Sequence, residues 1–179
     1  MILLARHGQT SENAAGRILG RRDPPLSPKG RAQAIELAGT LETAGLRALW
    51  TSPLRRARET ADIVGAELSL QPVVLQELVE SARGTWEAAR VADLARDSPA
   101  LFAAFEAGDP AFAFPGGESL REQVDRTRLA LAEIARGPLP ALAVAHAGTI
   151  RAALAIHGRA VPPERALPLG RALSFDVTS

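Results

Sequence analysis

The order of two patterns along the chain constrains its fold more than any other feature. Short apolar runs alternate with segments of helical period, and several of those segments open on a Ser-Pro pair. Ile2-Leu3-Leu4-Ala5 is continuously apolar, as expected of a strand buried on both faces. Ser27-Pro28 supplies a helix N-cap with proline at the first helical position, Ala34, Ile35, Ala38 and Leu41 an apolar face, and Gly45 a stop. Leu46 to Trp50 reads as a second strand. Ser52-Pro53 repeats the cap, ahead of a helix with Leu54, Ala57, Ala61 and Val64 on its apolar side. A third strand is expected within Leu70 to Leu75, and the stretch from Glu77 to Arg90 reads as irregular.

Farther on, Ser98-Pro99 opens a helix that buries Leu101, Phe102 and Phe105 and stops at Gly108, and Asp109 to Gly117 is a loop rich in Pro, Gly and Phe. Ser119-Leu120-Arg121-Glu122 is a capping box for a strongly amphipathic helix carrying Leu120, Val124, Leu131 and Ile134. Pro140 to Ala145 is another buried strand, Thr149 to Ile156 a short helix, and Leu173 to Val177 a last strand. Strands that alternate with helices in this way specify a three-layer α/β/α sandwich on a mostly parallel central sheet. No internal repeat, linker or low-complexity segment interrupts it, so residues 1–179 are expected to form one catalytic domain.

Composition removes several classes of function. With 46% hydrophobic and 23% charged residues the chain reads as globular rather than disordered, and a net charge of +1 gives no field that marks a nucleic-acid or membrane binder. Cysteine is absent, which excludes disulfides, thiolate metal sites and cysteine nucleophiles. No run approaches the roughly 20 apolar residues of a membrane span, and the apolar start is cut off by Arg6 and His7, too early for a signal-peptide core. A cytoplasmic location is the default expectation. Lys29 is the only lysine, so the arginines must be argued one by one from position.

In an open α/β sheet, ligands bind beyond the carboxyl ends of the strands. His7 and His146 both follow strands there, whereas His157 sits where a helix ends and is expected to complement the helix dipole. Either strand-end histidine could merely satisfy a core hydrogen bond. Their neighbours suggest more. Arg6 precedes His7, Gly8 lets the backbone approach a ligand, and Thr10 and Asn13 add polar groups to the same loop. The residues after His146 (Ala147-Gly148-Thr149) open a helix whose free N–H groups form an anion site. Arg55, Arg56 and Arg58 lie at the start of another helix, either as a solvated face or as phosphate ligands, for which the planar guanidinium is well matched. These groups together suggest a pocket for a phosphate dianion. No second cluster of His or Asp reads as a metal site, and no cofactor is called for.

At this point the sequence resembles the histidine phosphatase superfamily, in the branch that also holds cofactor-dependent phosphoglycerate mutases. Arg6-His7-Gly8-Gln9-Thr10 with Asn13 looks like its signature loop. Gly20 to Gly30 with Gln33-Ala34 looks like the next block, and Ser52-Pro53-Leu54 with Arg56-Ala57 and Glu59-Thr60-Ala61 like the third. Leu78, Glu80, Gly84, Trp86 and Glu87 fit an acid-bearing block, Pro115-Gly116-Gly117-Glu118-Ser119 a later loop, and His146 with Gly148 the last motif. The resemblance runs in order over roughly residues 2 to 155. It implies a phosphoglycerate mutase-like fold and a metal-independent phosphatase in which His7 attacks phosphorus. Arg6, Arg56, His146 and Asn13 would hold the phosphoryl oxygens, with Ala147 offering its N–H and Thr10 expected among the phosphate-binding groups of the same loop. Glu80 would be the general acid and base.

The acid block departs from the pattern: Glu77 competes with Glu80, and Arg83 stands before Gly84 where an apolar or aromatic residue is usual. Glu80 is preferred because Gly84 and Trp86 then fall at the family spacing. Trp86 is expected in the core rather than under a substrate. Arg21 and Arg22 either meet a second anionic group of the substrate or are exposed loop charges. The expected partner is a small phosphorylated molecule, with sugar phosphates, monoesters such as α-ribazole phosphate and phosphoprotein all suggested by the family. A homodimer stays open. The short stretch between Trp86 and Pro115 favours an open pocket, hence water as acceptor. The alternatives are a mutase and a binding module that has lost its chemistry.

Overall fold

In the computed structural model, which describes residues 1–176, five strands form one sheet in the order β3-β2-β4-β1-β5. They are β1 (Ile2–Arg6), β2 (Ala48–Thr51), β3 (Pro72–Val74), β4 (Ala141–Ala145) and β5 (Ala172–Phe175). β1, β2, β3 and β4 run parallel and β5 pairs antiparallel with β1 at the edge. The helices are α1 (Ser11–Ala14), α2 (Pro28–Leu41), α3 (Arg55–Leu68), α4 (Val91–Asp97), α5 (Pro99–Ala107), α6 (Leu120–Arg136) and α7 (Ala147–Ile156).

The pleat divides the core. Leu3, Ala5, Leu49, Leu142 and Val144 point to the side covered by α2 and α3, where they meet Leu37, Leu41, Ala61 and Val64. Ile2, Leu4, Ala141, Ala143 and Ala145 point to the other side, against Ala130 and Ile134 of α6 and Ile150 and Ala153 of α7. This is the expected three-layer sandwich. A third cluster lies outside the sandwich: Trp86 packs among Phe102, Phe105, Phe112 and Phe114, with Ile18 beside them. Trp86 is therefore a core residue.

Several local expectations need correction. Ile35 is 54% exposed, because the inward stripe of α2 runs through Gly30, Ala34, Leu37, Ala38 and Leu41. Ser52 does not cap α3; Leu54 occupies that position without a side-chain bond, and the Ser52 hydroxyl is taken up by His146. The helix after β4 begins at Ala147, with His146 as its N-cap residue. Only Pro72–Val74 of the third expected strand pairs, and the last strand ends at Phe175, while Val177 lies outside the described residues. Two helices went unanticipated: α1, capped by Thr10 and Asn13, and α4. The stretch from Glu77 to Arg90 is irregular, with short 3₁₀ turns at Gln76–Leu78 and Gly84–Trp86.

One contact fixes the loop after β1 against the sandwich. A Cβ on Gly8 would collide with the Gly30 carbonyl oxygen, and one on Gly30 would collide with the Gln9 carbonyl oxygen. Two glycines thus let the loop lie directly on the first turn of α2, and Ser27 caps that turn through its bond from Gly30 N–H at 3.1 Å. We expect Gly30→Ala and Gly8→Ala each to lower stability by about 1–3 kcal/mol, since backbone rather than a flexible side chain must give way. Urea denaturation checks this, and unchanged midpoints would show that the loop is not held by that contact.

Candidate active site

The register of the sheet brings the two strand-end histidines together. Arg6 of β1 lies opposite Ala145 of β4, so His7 and His146 leave the sheet side by side, with ring centroids 5.3 Å apart at 57°. The His7 N–H donates to the Ala145 carbonyl (3.1 Å), continuing the ladder one residue beyond the strand. Both histidines are buried.

The hydrogen bonds of His7 assign its tautomer. Nδ1 lies 2.7 Å from the Gly8 carbonyl, an acceptor only, so Nδ1 carries the proton. Nε2 accepts from the Arg56 Nε–H at 3.1 Å. Burial first, and then Arg56, His146 and Arg6, hold the His7 pKa well below 6.5, which leaves the ring neutral and its Nε2 lone pair unprotonated, directed at the Arg56 Nε–H. His146 is depressed in the same direction by burial and by Arg56 and Arg6. Its Nε2 is 2.7 Å from Ser52 Oγ, and its Nδ1 is buried without a protein partner.

Arg56 points inward from α3 because it shares a face with Thr60, Ala61 and Val64, whereas Arg55 is exposed and pairs with Glu59. Besides His7 it reaches the Arg22 carbonyl through Nη1 (2.6 Å) and the Gly20 carbonyl through Nη2 (2.9 Å). Burial pulls its pKa down to about 10, still cationic at neutral pH. Thr60, one turn on, accepts from the Gly8 N–H at 3.0 Å. Arg6 is tethered by Nη1 to the Leu167 and Glu164 carbonyls (2.6 and 3.2 Å), and its Nε is buried without a partner.

Arg6, His7, Asn13, Arg56 and Glu80 line one cleft of about 260 Å³. Thr10 is fully buried and stays out of it, donating to Asn13 Oδ1 from both its N–H and its hydroxyl. Thr10 thus turns the Asn13 amide so that its NH₂ is left for the cleft. Of the two acidic candidates only Glu80 reaches the cleft. Its carboxylate accepts from the Ser81 N–H (2.9 Å) and from the Gly148 N–H (3.3 Å), in the first turn of α7, where Ala147 is the first residue. Burial alone would raise the Glu80 pKa; Arg83, the Ser81 N–H, Arg56 and the Gly148 N–H outweigh it and hold it below the ordinary carboxylate range.

Arg21 and Arg22 lie outside the cleft lining. Arg22 is engaged by Glu12 at 2.9 Å, and Arg21 reaches the Glu80 carbonyl and, at 3.7 Å, Glu118. The cations that do line the outer cleft are Arg17 and Arg165, set against an apolar wall that includes Leu19, Phe102 and Leu169. Neither was singled out in the sequence, since Arg17 lies on the loop after α1 and Arg165 in a single 3₁₀ turn (Glu164–Ala166), and neither segment carries a periodic pattern. Arg83 and Glu164 were also missed; Arg83 packs beside Glu80, and Glu164 pairs with Arg83. His157 takes the expected place at the end of α7, bonded to the Ala153 carbonyl. Among the described residues no group of three or more His, Cys, Asp or Glu could hold a metal ion, and no helix is long and apolar enough to cross a membrane.

The chain is similar to known proteins in both sequence and fold. The chain is 32% identical over 144 residues to the probable phosphoglycerate mutase GpmB of Salmonella paratyphi B, covering 79% of this chain and 67% of that protein. It is 38% identical over 128 residues to the bifunctional protein Rv2228c of Mycobacterium tuberculosis, covering 71% of this chain but only 35% of that longer protein. Among solved structures, a mycobacterial glucosyl-3-phosphoglycerate phosphatase complexed with VO3 superposes with a TM-score of 0.81 at 32% identity, over 89% of this chain and 83% of that one. TTHB049 from Thermus thermophilus superposes with a TM-score of 0.79 at 34% identity, over 96% and 90%. The family model of the histidine phosphatase superfamily (branch 1) matches residues 2–172, and the chain belongs to that superfamily.

Proposed function

We propose that the protein is a metal-independent phosphatase that hydrolyses a small phosphomonoester through a phosphohistidine on His7. The observation that carries this reading is the tautomer of His7: Nδ1–H is bound to the Gly8 carbonyl, and a neutral Nε2 faces the Arg56 donor at the floor of the cleft.

A phosphate that enters the cleft meets Arg56, Arg6 and the Asn13 amide on its wall, with His146 and Ala147 outside the lining, His146 beside His7. The Arg6 Nε and His146 Nδ1 lack protein partners, and Arg56 exchanges its bond to His7 Nε2 for a phosphate oxygen. Nε2 forms the bond to phosphorus as the P–O ester bond breaks, and the arginines stabilise the charge on the equatorial oxygens. The Gly8 carbonyl, bonded to Nδ1–H, stabilises the positive charge that the phosphorylated ring acquires. The departing alkoxide takes its proton from Glu80. Water then attacks phosphorus and gives its proton to Glu80, the P–N bond breaks, and His7 returns neutral. Glu80 is ionised in the empty site, so it must gain a proton to act as acid. The negative charge of the phosphate offsets Arg56 and Arg6 and raises the Glu80 pKa when it is needed.

The mycobacterial phosphatase that matches most of both chains supports hydrolysis. The GpmB relative keeps mutase as the second reading, and ³¹P NMR of a phosphoglycerate mixture separates the two by the appearance of isomer or of free phosphate.

With p-nitrophenyl phosphate in EDTA, the parent should turn over and His7→Ala should not; equal turnover by the variant would sink the role of His7. On an alkyl phosphate, whose leaving group needs a proton, Glu80→Gln should lose about 10²–10⁴-fold. Glu77→Gln, outside the cleft, should stay near the parent rate, and the reverse pattern would reassign the acid.

The two depressed histidines also tie stability to pH. An unfolded histidine takes up its proton near the ordinary value of 6.5, and His7 and His146 in the fold do not. Their contribution is therefore fully present above pH 6.5 and is lost as pH falls below it, ahead of the carboxylate range. Melting temperature should fall between about pH 8 and pH 5.5, and inorganic phosphate should reduce that fall; at a hundredfold excess over Kd it adds about 2.7 kcal/mol. A flat profile, or one that phosphate leaves unchanged, would contradict this account.

A further inference from the structure

Arg83 is almost fully enclosed, at 2% exposure, and packs behind the acid of the cleft. Its Nη2 lies 2.8 Å from Glu164 Oε2 and 3.4 Å from Glu80 Oε2. Its guanidinium lies over the rings of Phe114, at 4.6 Å from the centroid, and Phe105, at 5.2 Å. The backbone beneath it is fixed. A Cβ on Gly84 would collide with the Pro115 carbonyl oxygen and one on Gly117 with that of Ala82, so the two loops are pressed together on either side of Arg83. Its own N–H is bound to Glu87 at 3.1 Å.

We propose that Arg83 is a positioning residue: wedged between Glu80 and Glu164, it fixes the carboxylate of the acid/base and sets the pH at which that group exchanges its proton. The proposal rests on the reading of Glu80 as the acid/base. An apolar side chain of similar length would fill the slot between the two phenylalanines without the cost of burying a cation, so packing alone does not account for an arginine there. Glu164 is shared, since its Oε1 also lies 4.0 Å from Arg6. It shares the Arg83 Nη2 with Glu80 and lies nearer to it, so it draws on the same charge. The two residues should therefore act on Glu80 with opposite sign.

The other charged groups packed around Glu80 are Arg56 from α3, Arg6 from β1 and Arg151 from α7. His146 caps the helix whose Gly148 N–H binds Glu80, and Arg126 of α6 holds the Val79 carbonyl just before it. Arg83→Met leaves the side chains of all these groups unchanged, whereas Glu164→Gln also removes the charge that faces Arg6, so the two variants are read by the direction of their shifts.

The test is the pH profile of kcat/KM for glycerol phosphate, whose basic limb reports the loss of the acid's proton in free enzyme. The substrate's own ionisation is common to all variants. In Arg83→Met the basic limb should move up by about one unit or more, Arg83→Lys should bring it back toward the parent, and Glu164→Gln should move it down. An unmoved limb in Arg83→Met, with glycerol phosphate and p-nitrophenyl phosphate slowed equally, overturns the proposal in favour of a structural filler. A Glu164→Gln shift in the same direction as Arg83→Met overturns it too. Should Arg83→Met fail to fold, Glu164→Gln carries the test alone, and a limb that stays or rises overturns the proposal. Glu80→Gln separates the two levels of argument. If its residual activity keeps the basic limb, the acid/base reading of Glu80 fails and the role of Arg83 with it. If the limb vanishes there but is unmoved in Arg83→Met, only the role of Arg83 fails.

Discussion

The Arg56 guanidinium is the constraint around which the catalytic end of the sheet is arranged. At 1% exposure it has left water, and a buried cation is tolerable only when its donors are met. Nε meets a histidine on the loop after β1, and Nη1 and Nη2 meet two carbonyls of the loop before α2. A single side chain on α3 therefore ties together two loops that carry no regular structure at the point of contact. The helix adds further ties: Thr60 receives the Gly8 N–H, and Glu59 receives the Leu26 N–H at 2.9 Å. Where α3 docks on the sheet decides where His7 Nε2 lies, and the Gly8–Gly30 contact leaves the loop no room to choose otherwise.

This arrangement stores positive potential and withholds its counter-ion. Arg6, Arg56 and the two histidines crowd one end of the sheet, and the carboxylates nearby, Glu80 and Glu164, are both engaged by Arg83. Self-repulsion and burial then do two things at once. They keep His7 and His146 neutral, which is the state a nucleophile needs, and they leave the Arg6 Nε and His146 Nδ1 buried without partners. Such groups cost stability in the empty fold, and an anion that binds them offsets that cost.

Much of this was legible from local rules, and the failures follow from their limits. β1 and β4 are continuous apolar runs, so the strand ends and the histidines beyond them could be placed without tertiary knowledge. Arg56 differs from Arg55 and Arg58 only in helical phase, and the apolar neighbours Ala57, Ala61 and Val64 carry that phase in the sequence. Ser52 shows where such rules stop. Its position before a proline is a sound cap signal, but its hydroxyl accepts only the Leu54 N–H, ahead of the helix, while it meets the buried His146 nitrogen, and α3 starts later without a side-chain cap. Helix α4 lacks a side-chain cap at Arg90, which left nothing to announce it, whereas the box of Thr10 and Asn13 was present and unused. Arg17, Arg165 and Glu164 come from segments with no period, and only tertiary contact puts them at the cleft.

The two halves of the site are built by different physics. The β1–β4 register and the Arg56 side chain of α3 position His7, the proposed nucleophile. Glu80, the proposed acid, is positioned by side-chain packing: the aromatic cluster around Trp86 supports Arg83, Arg83 contacts Glu80, and Glu164 holds Arg83 from the segment before β5. The halves meet through the Glu80 bonds to the first turn of α7 and through the charge of Arg56. Substitutions in the aromatic cluster can thus retune the acid and the outer wall of the cleft without disturbing the nucleophile. On the reading of His7 as nucleophile and Glu80 as acid, a fold organised in this way can change its leaving group and its working pH while keeping its phosphoryl chemistry.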